Sequence, residues 1–142
     1  MRDQSNNLHI LNAISPIAAR TDNTAIVSSI IDRRGYDSLT FGIAVGTNTD
    51  ADATFTVLVE DGENSALSDA AAVADENLVG TEALASYTFA DDAESRKIGY
   101  VGGKRYVRLT ITPANNAAGN IFVAALAILG MPHILPTANP PV

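Results

Sequence analysis

Ser-Leu-Thr-Phe-Gly-Ile-Ala-Val, at residues 38–45, alternates between small or polar side chains and large apolar ones. Successive side chains of a β-strand point to opposite faces, so this stretch predicts a strand with one face toward a core and one toward solvent. Residues 55–59 and 107–111 repeat the pattern. The sequence therefore predicts an all-β protein.

Clusters of turn-forming residues separate these segments, at residues 46–52, 61–65 and 113–120. Turn signals about 8–12 residues apart are typical of an antiparallel β-sandwich or jelly roll, which is the fold we expect. Gly102 and Gly103 separate two further strand-like segments. Because glycine tolerates positive φ at both positions, the pair predicts a two-residue hairpin.

Two segments depart from simple alternation. Residues 123–129 are apolar on both faces, which predicts a central, fully buried strand, although periodicity leaves a short helix open as an alternative. Residues 65–82 are rich in alanine and acids. They predict a long loop with one helical turn.

The ends differ from the middle of the chain. We divide it into an N-terminal arm and first strand at 1–24, a β-sandwich body at 25–130 and a Pro-rich tail at 131–142, which holds four of the six prolines. Proline disfavours helix and central strand, so the tail is expected to be extended, either loose or laid on a neighbouring molecule. Deleting residues 1–16 is expected to leave the body folded.

Composition limits the classes of function. The 142-residue chain has no cysteine, which excludes disulfides and thiolate-bound metals, and its net charge of −7 argues against nucleic-acid binding. The N-terminus lacks the apolar region of a secretion signal, and the longest apolar run is too short for a membrane helix. We expect a soluble protein made in the cytoplasm, without membrane contact.

The charges are unevenly distributed along the chain. Between Gly35 and Ser95 there are thirteen carboxylates and no lysine or arginine, whereas residues 96–108 hold five of the nine basic residues. These cations either neutralise the protein's own acidic loops or dock on an acidic partner, with aromatic neighbours as anchors. The candidate interface residues are Arg96, Lys97, Tyr100, Lys104, Arg105, Tyr106 and Arg108, together with Leu8, Ile10 and Leu11 from the N-terminal arm.

No pattern predicts catalysis or a cofactor. His9 and His133 are the only histidines and lie near opposite ends of the chain, and no nucleophile motif accompanies them. Asp50, Asp52 and Asp61 have a superficial calcium-loop spacing, but Phe55 stands where an EF-hand needs glycine. We expect no enzyme, no catalytic residues, no cofactor and no dedicated metal site, and leave weak cation binding open.

Several segments resemble a family of small tailed-bacteriophage virion proteins of the head-assembly module. The resemblance lies in residues 80–82, 89–92 and 96–109, with further similarity at 37–41, 59–61 and 129–132, and spans about residues 8 to 133. The segment at 98–109 is its most specific part.

This resemblance implies a capsid decoration, or cement, protein. Such proteins bind the major capsid protein on the outer surface of the virion, often as trimers, and stabilise the shell. Two alternatives stay open: another virion component, such as a tail, connector or head-fibre protein, and a carbohydrate- or cation-binding β-module.

Overall fold

The computed structural model describes residues 3–117 and 119–141. The described residues form eleven strands and one four-residue α-helix, α1, at Glu82–Ala85. The strands are β1 (Leu8–Ile14), β2 (Ile26–Val27), β3 (Ile31–Asp32), β4 (Tyr36–Asn48), β5 (Thr54–Gly62), β6 (Ala71–Ala72), β7 (Leu78–Val79), β8 (Tyr87–Thr88), β9 (Ser95–Tyr100), β10 (Tyr106–Ala114) and β11 (Ile121–Pro132).

The strands form two sheets. One has five strands in the order β1-β11-β4-β9-β7. The other has six: β2-β10-β5-β6 in order, with β3 also pairing with β10 and β8 with β5. All of these pairings are antiparallel. The prediction of an antiparallel β-sandwich is confirmed.

The core lies between the sheets and follows the alternation of the sequence. Leu39, Phe41 and Ile43 of β4 are at most 1% exposed. They join one apolar cluster with the alternating residues of β5 and β10. Fully burying a side chain of this size contributes about 1.5–3 kcal/mol, so each of these inward residues helps to hold the sheets together.

The hairpin predicted at Gly102 and Gly103 is wrong. β9 belongs to the five-stranded sheet and β10 to the six-stranded sheet, so residues 101–105 cross from one sheet to the other. Neither glycine has a positive φ. Gly102 is needed for close approach, because a Cβ atom there would lie 2.5 Å from the phenol oxygen of Tyr100.

Residues 123–129 lie in a central strand, as predicted, but only one face of that strand is buried. β11 pairs with β1 on one side and β4 on the other. Its inward residues are at most 3% exposed, whereas Phe122 is 52% and Leu126 44% exposed on the outward face. No described helix or strand lies over this sheet, and Phe122 and Leu126 therefore remain exposed to solvent.

The segment at 65–82 is largely loop. It contains a 3-10 turn at Asp75–Asn77 and the two-residue strands β6 and β7. At its end Thr81 caps α1 by accepting a hydrogen bond from the backbone N–H of Leu84 at 3.1 Å. The Glu82 carboxylate accepts another from the N–H of Val59 at 2.7 Å, which fastens the helix to β5.

The first strand is part of the body. β1 pairs with β11 from Leu8 opposite Gly130 to Ile14 opposite Ala125. It buries Ala13 and Ile14 in the core. Deleting residues 1–16 would remove β1 and uncover β11 and this side of the core. The expectation that such a truncation leaves the body folded stays a prediction, and this pairing argues against it.

Candidate interaction surfaces

Most cations of the 96–108 cluster bind carboxylates of the same chain. Arg105 forms a two-pronged ion pair with Asp32 of β3, at 2.9 and 2.7 Å. This contact lowers the pKa of Asp32, chiefly through the hydrogen bond from Arg105. Arg96 contacts Asp91 at 3.1 Å and also Glu94.

The Arg108 pair follows from the strand register. Arg108 of β10 stands opposite Glu60 of β5. Both side chains are largely shielded from solvent, and two guanidinium nitrogens donate to one oxygen of Glu60 at 2.8 and 3.0 Å. Direct cross-strand opposition of unlike charges stabilises a sheet. Self-neutralisation therefore accounts for this part of the cluster.

Lys97 differs from its neighbours. Among the described residues its side chain makes no ion pair, and it is exposed. Lys97 lies opposite Gly42 of β4, on the outward side of the five-stranded sheet. Of the five predicted cations, it is the one whose charge the described part of the chain leaves available to a partner.

Tyr100 lies in the core, which corrects its predicted role as a surface anchor. It is 1% exposed, and its hydroxyl donates to Asp61 at 2.8 Å. Because Tyr100 belongs to β9 and Asp61 to β5, this bond joins the two sheets. Lys104 completes the network through a 3.0 Å ion pair with Asp61 and a 3.1 Å hydrogen bond from its backbone N–H to the Tyr100 oxygen.

Arg33 covers the outer side of this network. Its guanidinium carbon lies 5.2 Å from the centre of the Tyr100 ring. It donates to the backbone carbonyls of Gly102 at 2.8 Å and Lys104 at 2.7 Å, and so fixes the crossing segment. Burial, together with the hydrogen bond to Asp61, raises the pKa of Tyr100 to about 12.

The remaining predicted interface residues lie in different parts of the structure. Tyr106 is half-buried on β10, with the Arg105 guanidinium carbon 4.9 Å from its ring centre. Leu8 and Ile10 share the outward side of the five-stranded sheet with Lys97, whereas Leu11 packs against the core. The structure thus brings Leu8, Ile10 and Lys97 to one surface and places the other predicted residues elsewhere.

That surface includes residues that the sequence interpretation missed. We call the outward side of the five-stranded sheet the apolar face; Lys97 is the one charged side chain at its described strand positions. Besides the predicted Ile10, its exposed apolar side chains include those of Val79, Phe122 and Leu126, which were not predicted. The available signal was the apolar composition of both faces at residues 123–129.

A second exposed apolar feature lies in the C-terminal tail. After β11 the backbone N–H of His133 donates to the carbonyl of Gly35 at 2.9 Å, and that of Thr137 to Asn6 at 3.0 Å. The Thr137 hydroxyl also donates to the carbonyl of Leu8 at 2.6 Å. Between these anchors lie residues 134–136, here called the tail tip, where Ile134 is 82% and Leu135 56% exposed.

The two histidines considered for metal binding have other partners. His9 is buried and stacks on Tyr36 with ring centres 5.3 Å apart, whereas His133 contacts Asp37 at 2.8 Å. Asp61 lies at the opposite end of β5 from Asp50 and Asp52. Within the described ranges, no group of three or more His, Cys, Asp or Glu residues is placed to hold a metal ion.

The helical parts of residues 3–117 and 119–141 are short. None of them is long and apolar enough to cross a membrane.

Comparisons with known proteins identify a fold and no family. No family model matches the chain, and no curated protein matches it. Among solved structures, the PBSX exported protein XepA is similar over 92% of this chain, with a TM-score of 0.52 and 14% identity. This chain spans 39% of the XepA chain. At that identity the similarity shows a shared fold.

Two further neighbours are more distant. The SPBc2 prophage-derived protein YomS covers 87% of this chain and 92% of its own, with 9% identity and a TM-score of 0.47. The xylan-binding module CBM15 covers 93% of this chain and 95% of its own, with 10% identity and a TM-score of 0.40. These scores are too low to support any statement beyond the similarity itself.

Replacing Tyr100 with phenylalanine is expected to lower the free energy of unfolding by about 1–3 kcal/mol, because Asp61 loses a buried donor. Tyr87→Phe is the matched control. The Tyr87 hydroxyl is buried without a described hydrogen-bond partner, and its ring stacks on Phe55 at 4.7 Å. Tyr87→Phe should leave stability unchanged or higher. Urea unfolding measures both variants, and equal losses would contradict the cross-sheet role of Tyr100.

Stability is expected to fall as the pH rises from about 10 to 12. The folded state raises the pKa of Tyr100 above its ordinary value, so the stabilisation is complete below about pH 10 and is lost as the phenol ionises. The pKa of Lys104 is raised by Asp61 and acts in the same direction. Urea unfolding across this range should show a smaller loss in Tyr100→Phe, and parallel curves for the two proteins would refute the assignment.

Lys97→Glu and Arg108→Glu are expected to differ in their effect on folding. Lys97 is exposed and unpaired within the described residues, so its replacement should change stability by no more than about 0.5 kcal/mol. Arg108→Glu sets a carboxylate opposite Glu60 and should cost about 1–3 kcal/mol. Thermal unfolding compares them. If Lys97→Glu were the more damaging change, the division into paired and free cations would be wrong.

Proposed function

We propose that this chain is a structural protein of a tailed-phage virion and that it decorates the outside of the capsid shell by binding the major capsid protein. The sequence resemblance described above supports this role. XepA, whose fold the chain shares, is by name a PBSX exported protein, which is compatible with a phage origin. The proposal includes no catalytic activity and no cofactor.

The tail tip is the observation that carries the proposal. A tail expected to be loose or laid on a neighbour is instead fastened to its own body at His133 and Thr137. Between those points, Ile134 and Leu135 are held in solvent, where they gain nothing for the fold. Two adjacent apolar side chains fixed in this way form a small contact point for another protein.

Fixing the tip before contact favours binding. A disordered tail loses conformational freedom when it binds, whereas a tip anchored on both sides has lost much of it during folding. A decoration protein that is an oligomer also contacts its shell through several copies of the tip at once. Several tips acting together raise the overall avidity without any new chemistry at each one.

The rival functions differ in measurable ways. A tail, connector or head-fibre protein would occur at low copy number in virions, whereas a decoration protein binds in fixed proportion to the capsid protein. A carbohydrate- or cation-binding module would respond to glycans or calcium in the absence of any capsid. Stoichiometry on purified particles therefore separates the first two functions.

Substituting both Ile134 and Leu135 with serine is expected to weaken binding to expanded capsids tenfold or more. The tip loses apolar area that binding would remove from water, and about 1.4 kcal/mol corresponds to tenfold in affinity. The melting temperature should not change, since both side chains are exposed in the free protein. Co-sedimentation with purified capsids measures the affinity.

Val27→Ser is the control for that experiment. Val27 is 52% exposed and belongs to the six-stranded sheet, so its loss removes an exposed apolar side chain away from the tip. It should leave capsid binding intact. Unchanged binding by the double variant would exclude the tail tip as the contact. A wild-type protein that does not bind capsids at all would exclude decoration itself.

A further inference from the structure

We infer that the apolar face is a self-association surface, on which a second copy of this chain packs about a two-fold axis. This goes beyond the proposed function, because self-association through a sheet face does not require a capsid. The inference rests on the contrast between the two sheets, on the shape of the face, on its charge and on its area.

The outward sides of the two sheets differ in polarity. The outward positions of an exposed sheet are normally polar. The six-stranded sheet follows this rule at most positions: its outward residues include Thr54, Thr56, Glu60, Arg108, Thr110 and Thr112, and Val27 and Leu58 are the larger aliphatic exceptions. The five-stranded sheet has many more outward apolar side chains, although it meets the same water. Apolar side chains concentrated on one face are typical of a surface that is covered in the working assembly.

One half of the apolar face is raised. Large apolar side chains point outward from both β11 and β1, with the small Ala124 between Phe122 and Leu126, and Ile10 stands directly opposite Ile128. Together with Phe122 and Leu126 they form an apolar ridge along these two strands. Ile10 and Leu126 are each 44% exposed, so a substantial part of the ridge meets solvent in the single chain.

The neighbouring strip is a trough. The outward positions along β4 are Ser38, Thr40, Gly42, Ala44 and Gly46, and their side chains are small or absent. On the β9 side of this strip Gly99 lies opposite Thr40, and Lys97, opposite Gly42, is the one long side chain at its border. Hollows of about 250 Å³ beside Thr40 and Gly99, and of about 220 Å³ beside Ala44 and Gly46, mark the two ends of this strip.

A ridge beside a parallel trough is self-complementary. A two-fold rotation places the ridge of each copy in the trough of the other, as an isologous interface requires. The charge distribution on this face also favours a second copy as the partner. Two chains of net charge −7 repel each other, but the described strand positions of this face carry no carboxylate. Here two copies can approach with the least repulsion.

The area is sufficient for a specific pair. Five strands at about 4.8 Å spacing are about 20 Å wide. Their mean length of eight residues is about 26 Å, which gives about 500 Å² per copy. Two copies would bury about 1,000 Å², about the least that a specific interface is expected to bury. A two-fold pair is a dimer, which differs from the trimer that the sequence resemblance implies.

Analytical ultracentrifugation tests the inference at chain concentrations well above micromolar. The 14.8 kDa chain should sediment as a dimer of about twice that mass. Leu126→Asp should sediment as a monomer, because it buries a charge at the centre of the ridge. Val27→Asp, at a site of similar exposure on the other sheet, should remain a dimer. Circular dichroism verifies that each variant is folded.

Ala44→Lys provides a second variant should Leu126→Asp fail to fold. Ala44 is exposed in the trough, so a long charged side chain there blocks the ridge of the partner without entering the core. It too should be monomeric. A monomeric or trimeric wild-type protein would overturn the two-fold pairing. So would a dimer that folded variants of both the ridge and the trough leave intact.

Discussion

The bond between the Tyr100 hydroxyl and Asp61 links the two sheets at the place where the chain crosses between them. Tyr100 ends β9, residues 101–105 cross over, and β10 begins at Tyr106. A buried carboxylate needs donors, and here it receives one from each side: the phenol from one sheet and Lys104 from the crossing segment. Moving the crossing segment would leave the Asp61 carboxylate buried without these partners, and that cost holds the segment in place.

The same crossing explains the uneven charges of the sequence. The run of basic residues spans β9, the crossing segment and the start of β10, while the carboxylates that meet it come from β3, β5 and the loop before β9. The two sets are separated along the chain because sheet pairing brings distant segments together. Ion pairs therefore join several strands, and Lys97 is left facing outward on the apolar face.

The alternation of the strands could be predicted from sequence, and the sandwich followed from it. The pairing of β9 could not. Gly102 and Gly103 are residues that a tight hairpin favours. Gly102 instead allows the close approach of the Tyr100 phenol, which bonds to Asp61 of the other sheet. That contact between distant segments could not be read from the sequence. The exposure of the outward face of β11 could not be predicted for another reason: a strand that is apolar on both faces has the same composition whether one of those faces is buried or exposed.

The candidate surfaces, too, could be predicted only in part from the sequence. Their positions in the structure indicate how they could act together. Leu8 and Ile10 were predicted as interface residues on composition, and both line a hollow of about 260 Å³ with Ala138 and Asn139 of the tail. The tail therefore adjoins the edge of the apolar face. A second copy packed on that face would bring two tail tips into one assembly at fixed separation. Because bound tips would then share one rigid support, the proposed pairing of the chains and the proposed attachment to a larger particle would reinforce each other without overlapping in the residues they use.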